Sequence, residues 1–142
     1  MLNLKTKEEL IHHAVQASDK SYSPYSHFAV GAALLTNDET IITGANIENI
    51  SFGLSNCAER SAIFSALSQG ITEFKAIAIF SPQAKTPLQP CGACRQVLAE
   101  FVPESFPILL ISQNKEVTET TLGALFPMSF QSLGDAKSHT SK

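Results

Sequence analysis

The stretch from Cys57 to Arg95, CAERSAIFSALSQGITEFKAIAIFSPQAKTPLQPCGACR, decides how the chain folds. It begins with a helix expected over about Cys57 to Gln69, whose Ala58, Ala62, Ala66 and Leu67 share one side. Gly70 is a natural C-terminal stop for it. Phe74-Lys75-Ala76-Ile77-Ala78-Ile79-Phe80 then reads as a strand. A loop with Pro82, Pro87 and Pro90 leads to a second helix, about Gly92 to Phe101, with Val97 and Leu98 inward. A helix, a strand and a loop therefore separate Cys57 from Cys91. A right-handed crossover of that kind returns the chain beside its start, so the two helix starts are expected to meet.

Working outward, Thr6-Lys7-Glu8-Glu9 reads as a capping box with Thr6 as N-cap. Leu10, Ile11, Ala14 and Val15 follow at helical spacing, and the helix is expected to end before Ser21-Tyr22-Ser23-Pro24. Phe28 to Leu35 is an apolar run of strand character. Asn37-Asp38 is turn chemistry, and Thr40 to Thr43 returns as a hairpin partner. Ile108 to Ile111 reads as a strand buried on both faces, Glu116 to Thr118 as a weaker fifth strand, and Thr121 to Phe126 as a short helix. Strands alternating with helices predict an α/β fold: a three-layer α-β-α sandwich around a mixed sheet of about five strands. The 142 residues are expected to form one domain, with a core over about 7–135 and a polar, frayed tail over 136–142.

Composition narrows the function classes. Apolar content of 44% and charged content of 16% are those of an ordinary globular protein. The net charge of −3 and a pI near 5.8 carry no footprint for nucleic acid. No apolar run approaches the ~20 residues that span a bilayer, and no signal peptide is visible. An odd count of three cysteines argues against a disulfide framework and for a reducing, cytoplasmic setting.

Those cysteines, Cys57, Cys91 and Cys94, carry the chemistry. Zinc prefers tetrahedral coordination, and a catalytic zinc usually has three protein ligands and one open position for water. Helix starts offer free N–H groups and a positive dipole end, which stabilise thiolate. Glu59, two residues after Cys57, can move protons to and from a bound water without ligating the metal. Three thiolates leave the site with a formal charge of about −1 by ligand counting, which weakens zinc as a Lewis acid. Arg60 and Arg95 both adjoin ligands, and Arg60 is expected to donate hydrogen bonds to ligand sulfur.

Alternatives stand beside this. C-x-x-C alone fits a structural zinc site or a redox dithiol equally well. A structural site needs a fourth ligand from His12, His13, His27 or His139, of which His27 lies closest to a site loop. A redox dithiol leaves Cys57 and Glu59 unexplained. The combination Cys-Ala-Glu plus Pro-Cys-x-x-Cys is far more specific than either part.

At these residues the chain resembles the small, homotetrameric cytidine deaminases, whose zinc signature is a first ligand, a Glu two residues on and P-C-x-x-C. The resemblance extends to Tyr22-Ser23-Pro24-Tyr25-Ser26-His27-Phe28-Ala29-Val30-Gly31-Ala32-Ala33, to Gly44-Ala45-Asn46-Ile47-Glu48-Asn49, and to Pro127-Met128-Ser129-Phe130. It implies one Zn2+ per subunit on Cys57, Cys91 and Cys94, with Glu59 as general acid and base. It implies that Phe28 stacks on or edges the pyrimidine, and that Asn46 and Glu48 hold sugar hydroxyls, Glu48 on the 3′-hydroxyl. Ala58 would present backbone groups to the base. Phe52 stands where relatives often carry tyrosine, and any hydrogen bond from that phenol is missing here. Phe130 would reach into a neighbouring subunit's site, making a homotetramer with shared sites.

The expected activity is deamination of cytidine and 2′-deoxycytidine in pyrimidine salvage, with a small nucleoside as partner and neither nucleic acid nor membrane. Outside the motif, each substrate contact has a plainer explanation. Phe28 would be core, Asn46 would close a turn, Glu48 would be a solvated charge, and Phe130 would tack the tail down. Two further alternatives remain open: a related aminohydrolase acting on a blasticidin-type nucleoside, and a non-catalytic zinc scaffold closed by His27.

Overall fold

The computed structural model describes residues 2 to 133, so the tail expected over 136–142 lies outside the described residues. In chain order the elements are α1 (Leu4–Ser18), β1 (Gly31–Thr36), β2 (Ile41–Ala45), a 3-10 turn at Phe52–Leu54, α2 (Ala58–Ser68) and β3 (Phe74–Phe80). Then come α3 (Gly92–Phe101), β4 (Pro107–Ile111), β5 (Val117–Thr121) and α4 (Leu122–Leu125). The strands form one sheet in the order β2-β1-β3-β4-β5. Among the strand pairs of the described residues, only β3–β4 is parallel; the others are antiparallel. The sheet is mixed, as expected.

Strand alternation sends side chains to two opposite layers. Ala32 and Leu34, Ile77 and Ile79, and Ile108 and Leu110 meet Ala62, Ile63 and Ala66 of α2 and Leu98 of α3. Ala33 and Leu35, Ala76 and Ala78, and Leu109 and Ile111 meet Leu10 and Ala14 of α1. The outcome is the α-β-α sandwich. Gly31 lets α1 lie tight on the sheet, since a Cβ there would stand 2.1 Å from the Ala14 carbonyl.

Three local expectations change. Thr6 is not the N-cap of α1. Asn3 is, its Oδ1 accepting from the Thr6 N–H at 2.8 Å. Asn caps as well as Thr, and Leu2 packs on the α1 side of the core, drawing the helix start upstream. The first strand begins at Gly31 rather than Phe28. The Asn46 side chain takes the Phe28 carbonyl and the Val30 N–H, at 2.8 and 2.9 Å, and so diverts both from the ladder. The fifth strand also starts one residue later than expected, after a turn closed from Ser112 N–H to the Glu116 carbonyl at 2.9 Å, with Lys115 at φ 67°.

Candidate functional site

β2 and β3 both run antiparallel to β1, so they run parallel to each other. The segments leaving them therefore emerge at the same edge of the sheet. There α2 begins with Cys57 as its N-cap and α3 with Cys91. This topology is what unites two cysteines 34 positions apart.

The Sγ atoms of Cys57 and Cys91 are 3.5 Å apart, and those of Cys91 and Cys94 are 3.3 Å apart. All three lie within 4.8 Å of one another. Among the described residues no histidine or carboxylate joins the group. His27 instead supports a left-handed backbone turn at φ 58°. Cys94 is buried, Cys57 half-buried and Cys91 exposed, so the cluster is reached from one side.

The electrostatics of the cluster favour a bound cation. The hydrogen bond with Cys94 lowers the Cys57 thiol to about 5, with Arg60 and Cys91 assisting. The same bond, with burial, raises Cys94. A thiolate at Cys57 is thus held beside a thiol at Cys94 that keeps its proton. A divalent cation replaces such protons. Zinc with 2.3 Å bonds to sulfur in a tetrahedron sets neighbouring sulfurs about 3.8 Å apart, close to the spacing here. The donor set fits zinc. Arg60 Nη2 lies 3.5 Å from Cys57 Sγ, and contact with that sulfur favours its charged form. Arg95 turns elsewhere, donating to the carbonyls of Pro90 at 3.0 Å and Leu125 at 2.5 Å.

Glu59 sits in the first turn of α2 and is 3% exposed. Burial pushes its carboxyl up to about 7, and the charge on Cys57 adds to the effect. A carboxyl so poised can accept or release a proton near neutral pH. Glu59 shares a cavity of about 220 Å³ with Cys57, Ala58, Cys91, Asn46 and Glu48.

Asn46 is nearly buried. Its Oδ1 accepts from Ser21 Oγ at 2.5 Å and from Val30 N–H, and its Nδ2 donates to the Phe28 carbonyl. Glu48 Oε1 accepts from the N–H groups of Tyr25 and Ser26 at 3.0 and 3.1 Å, and its Oε2 accepts from Ser26 Oγ. A second cavity of about 430 Å³ shares Glu48 and is walled by Tyr25 and Phe52, whose ring centroids are 6.1 Å apart. Among the described residues no lysine, arginine or histidine lines either cavity.

The structure does not unite every expected contact. Phe28 is half-buried and outside the cavity lining. Phe130 is 65% exposed and outside the cavity lining, and its carbonyl accepts from Gln96. The cavity also includes Val30, Ser55, Asn56, Leu88 and Gln89, to which sequence reasoning assigned no role. Gln89 and Leu88 immediately precede the Pro90-Cys91 motif, and that adjacency was the available signal.

Residues 4–110 match the family described as the cytidine and deoxycytidylate deaminase zinc-binding region. A cytidine deaminase from Sporosarcina psychrophila is 47% identical over 123 residues, covering 87% of this chain and 90% of the relative. The crystal structure of cytidine deaminase from Burkholderia pseudomallei superposes with a TM-score of 0.84 at 46% identity, covering 87% of this chain and 98% of that one. A blasticidin-S deaminase from Bacillus cereus is 31% identical over 129 residues, covering 86% of this chain and 90% of the relative.

Proposed function

The chain belongs to the cytidine and deoxycytidylate deaminase family, and on that premise we propose that it hydrolyses cytidine and 2′-deoxycytidine to uridine and 2′-deoxyuridine plus ammonia. The observation that carries this is the buried carboxyl of Glu59 in one cavity with Cys57 and Cys91. Cys57, Cys91 and Cys94 would hold one zinc per chain, and that ion, when bound, supplies a water acidified towards neutrality.

The chain's own groups do the rest. Glu59 protonates N3 of the pyrimidine, which makes C4 electrophilic. It takes a proton from the attacking water, passes one to the exocyclic amine, which leaves as ammonia, and recovers the proton of the new C4 hydroxyl as the carbonyl forms. Arg60 holds the Cys57 sulfur. Ala58, fully buried on the cavity wall, meets the base through its backbone. Asn46 and Glu48 hold the sugar, with Phe28 at the edge of the pyrimidine and Phe52 beyond the sugar.

The absence of a cationic side chain on either cavity wall among the described residues, together with the Glu48 carboxylate, favours a nucleoside over its 5′-phosphate. Phe130, projecting from this chain, is read as completing a neighbour's site in a homotetramer. Pyrimidine salvage in the cytoplasm fits this activity; among the described residues no helix is long and apolar enough to cross a membrane. The 47% identity to the Sporosarcina psychrophila cytidine deaminase, against 31% to the blasticidin-S enzyme, favours cytidine as substrate. The sulfur cluster, with no fourth protein donor among the described residues, favours catalysis over a closed structural site.

An ultraviolet assay on cytidine, deoxycytidine and their monophosphates, with and without a zinc chelator, tests the proposal. Loss of absorbance on both nucleosides, abolished by chelation and slight on the monophosphates, is expected. Inertness towards both nucleosides in the zinc-loaded protein would overturn it.

A further inference from the structure

Ser26 occupies a position that neither metal binding nor proton transfer requires. Its Oγ donates to Glu48 Oε2 and accepts from the Phe28 N–H at 3.1 Å. Its own N–H donates to Glu48 Oε1. The left-handed residue His27, at φ 58°, bends the chain so that one hydroxyl bridges the carboxylate and the Phe28 backbone. The segment carrying this hydroxyl is fastened to the 46–48 segment by backbone bonds, Tyr22 N–H to Asn46 carbonyl at 3.0 Å and Glu48 N–H to Tyr22 carbonyl at 2.8 Å.

A carboxylate offers about four acceptor positions. Three on Glu48 are taken by Tyr25 N–H, Ser26 N–H and Ser26 Oγ. One remains, on Oε2, the oxygen that Ser26 Oγ holds. The carboxylate lies on the wall shared by the two cavities, and left free it would turn about its side-chain torsions. The N–H groups of Tyr25 and Ser26 anchor Oε1, and the Ser26 hydroxyl is the side chain that fixes where Oε2 points.

We propose that Ser26 is a positioning residue for sugar recognition: its hydroxyl aims the one remaining acceptor of Glu48 at a hydroxyl of the bound nucleoside and couples that orientation to the Phe28 backbone. This rests on Glu48 holding the 3′-hydroxyl. Ser26 touches no reacting atom, so its influence is on selectivity between sugars.

The test compares kcat/KM for cytidine and for 3′-deoxycytidine in the zinc-loaded protein. In Ser26→Ala the preference for cytidine falls about tenfold, the scale of one hydrogen bond to a charged group, through KM, with kcat on cytidine within about threefold. Ser26→Thr keeps the hydroxyl and the preference. Ser26→Cys, close in size but a weak donor, loses the preference as alanine does, and it replaces the alanine variant should that not fold.

A merely structural role would lower both substrates together and leave the ratio untouched; an unchanged ratio in Ser26→Ala or Ser26→Cys overturns the proposal. Glu48→Gln separates the two levels. If that variant collapses the ratio and the Ser26 variants do not, only the Ser26 assignment falls. If Glu48→Gln leaves the ratio intact, the sugar contact of Glu48 falls, and the Ser26 assignment with it.

Discussion

Arg60 places its Nη2 3.5 Å from the Sγ of Cys57, the residue that caps the same helix one turn earlier. The cap position thus sets metal ligand and counter-charge together, because residues three apart share a helix face. Replacing Arg60 by Gln removes the charge while the three sulfurs stay in place. Zinc affinity is expected to fall about 10- to 100-fold, the usual cost of losing a group that supports a metal ligand. Competition against a chromophoric chelator measures it, and an unchanged affinity would contradict the role.

Cys91 is both a sulfur donor and the N-cap of α3, its Sγ accepting from Cys94 N–H at 3.4 Å. Cys91→Ala is expected to lose zinc together with activity. Cys91→Ser, which keeps a capping oxygen, should restore helix stability without restoring metal. Atomic absorption and thermal melting read the two effects separately. Full zinc occupancy in Cys91→Ala would remove Cys91 from the ligand set.

Gly44 sets the distance between α2 and the sheet. A Cβ there would lie 2.4 Å from the Ala62 nitrogen and 2.7 Å from the Ala58 carbonyl, both backbone atoms that cannot swing aside. Gly44→Ala is expected to destabilise the fold by about 1–3 kcal/mol, as overpacking does. Gly53→Ala, where a Cβ meets nothing within 4 Å, is the neutral control. Equal denaturation midpoints for the two variants would show that α2 moves freely off the sheet.

Much of this architecture was legible before any coordinates. β3 and α3 fall where periodicity puts them, since long apolar alternation and a Pro-bounded cysteine cap leave little choice. The errors cluster where side chains compete with the backbone. Asn46 intercepts the Phe28 and Val30 backbone groups and delays β1, which no local propensity records. Asn3 outcompetes Thr6 as a cap because tertiary burial of Leu2 decides between two adequate residues. The sulfur cluster was readable because motif spacing and crossover topology agree. The Ser26–Glu48 bridge was not, because it joins two segments 22 residues apart through hydroxyl chemistry common to any loop.

That bridge has a pH signature. The hydrogen bond from Ser26 Oγ, above all, holds the Glu48 carboxyl below its ordinary 4.5. A carboxyl lowered on folding stabilises the fold above the unfolded value, and that contribution is lost as pH falls through the folded value. A carbon-13 titration of the Glu48 carboxyl is expected to give a midpoint below 4.5, and Ser26→Ala should move it upward. A midpoint at or above 4.5 in the wild-type protein would mean that the loop does not hold the carboxylate in solution.

The most direct measurement is zinc content and cytidine turnover in Glu59→Gln. Gln nearly matches Glu in size and keeps an acceptor, but it cannot carry a proton between water, ring nitrogen and amine. One zinc per chain with a native melting curve is expected, and turnover lowered at least about 10²-fold, as loss of a positioned proton carrier predicts. Turnover within about threefold of wild type would contradict that scale of loss and remove Glu59, and with it the proposed chemistry, from the site.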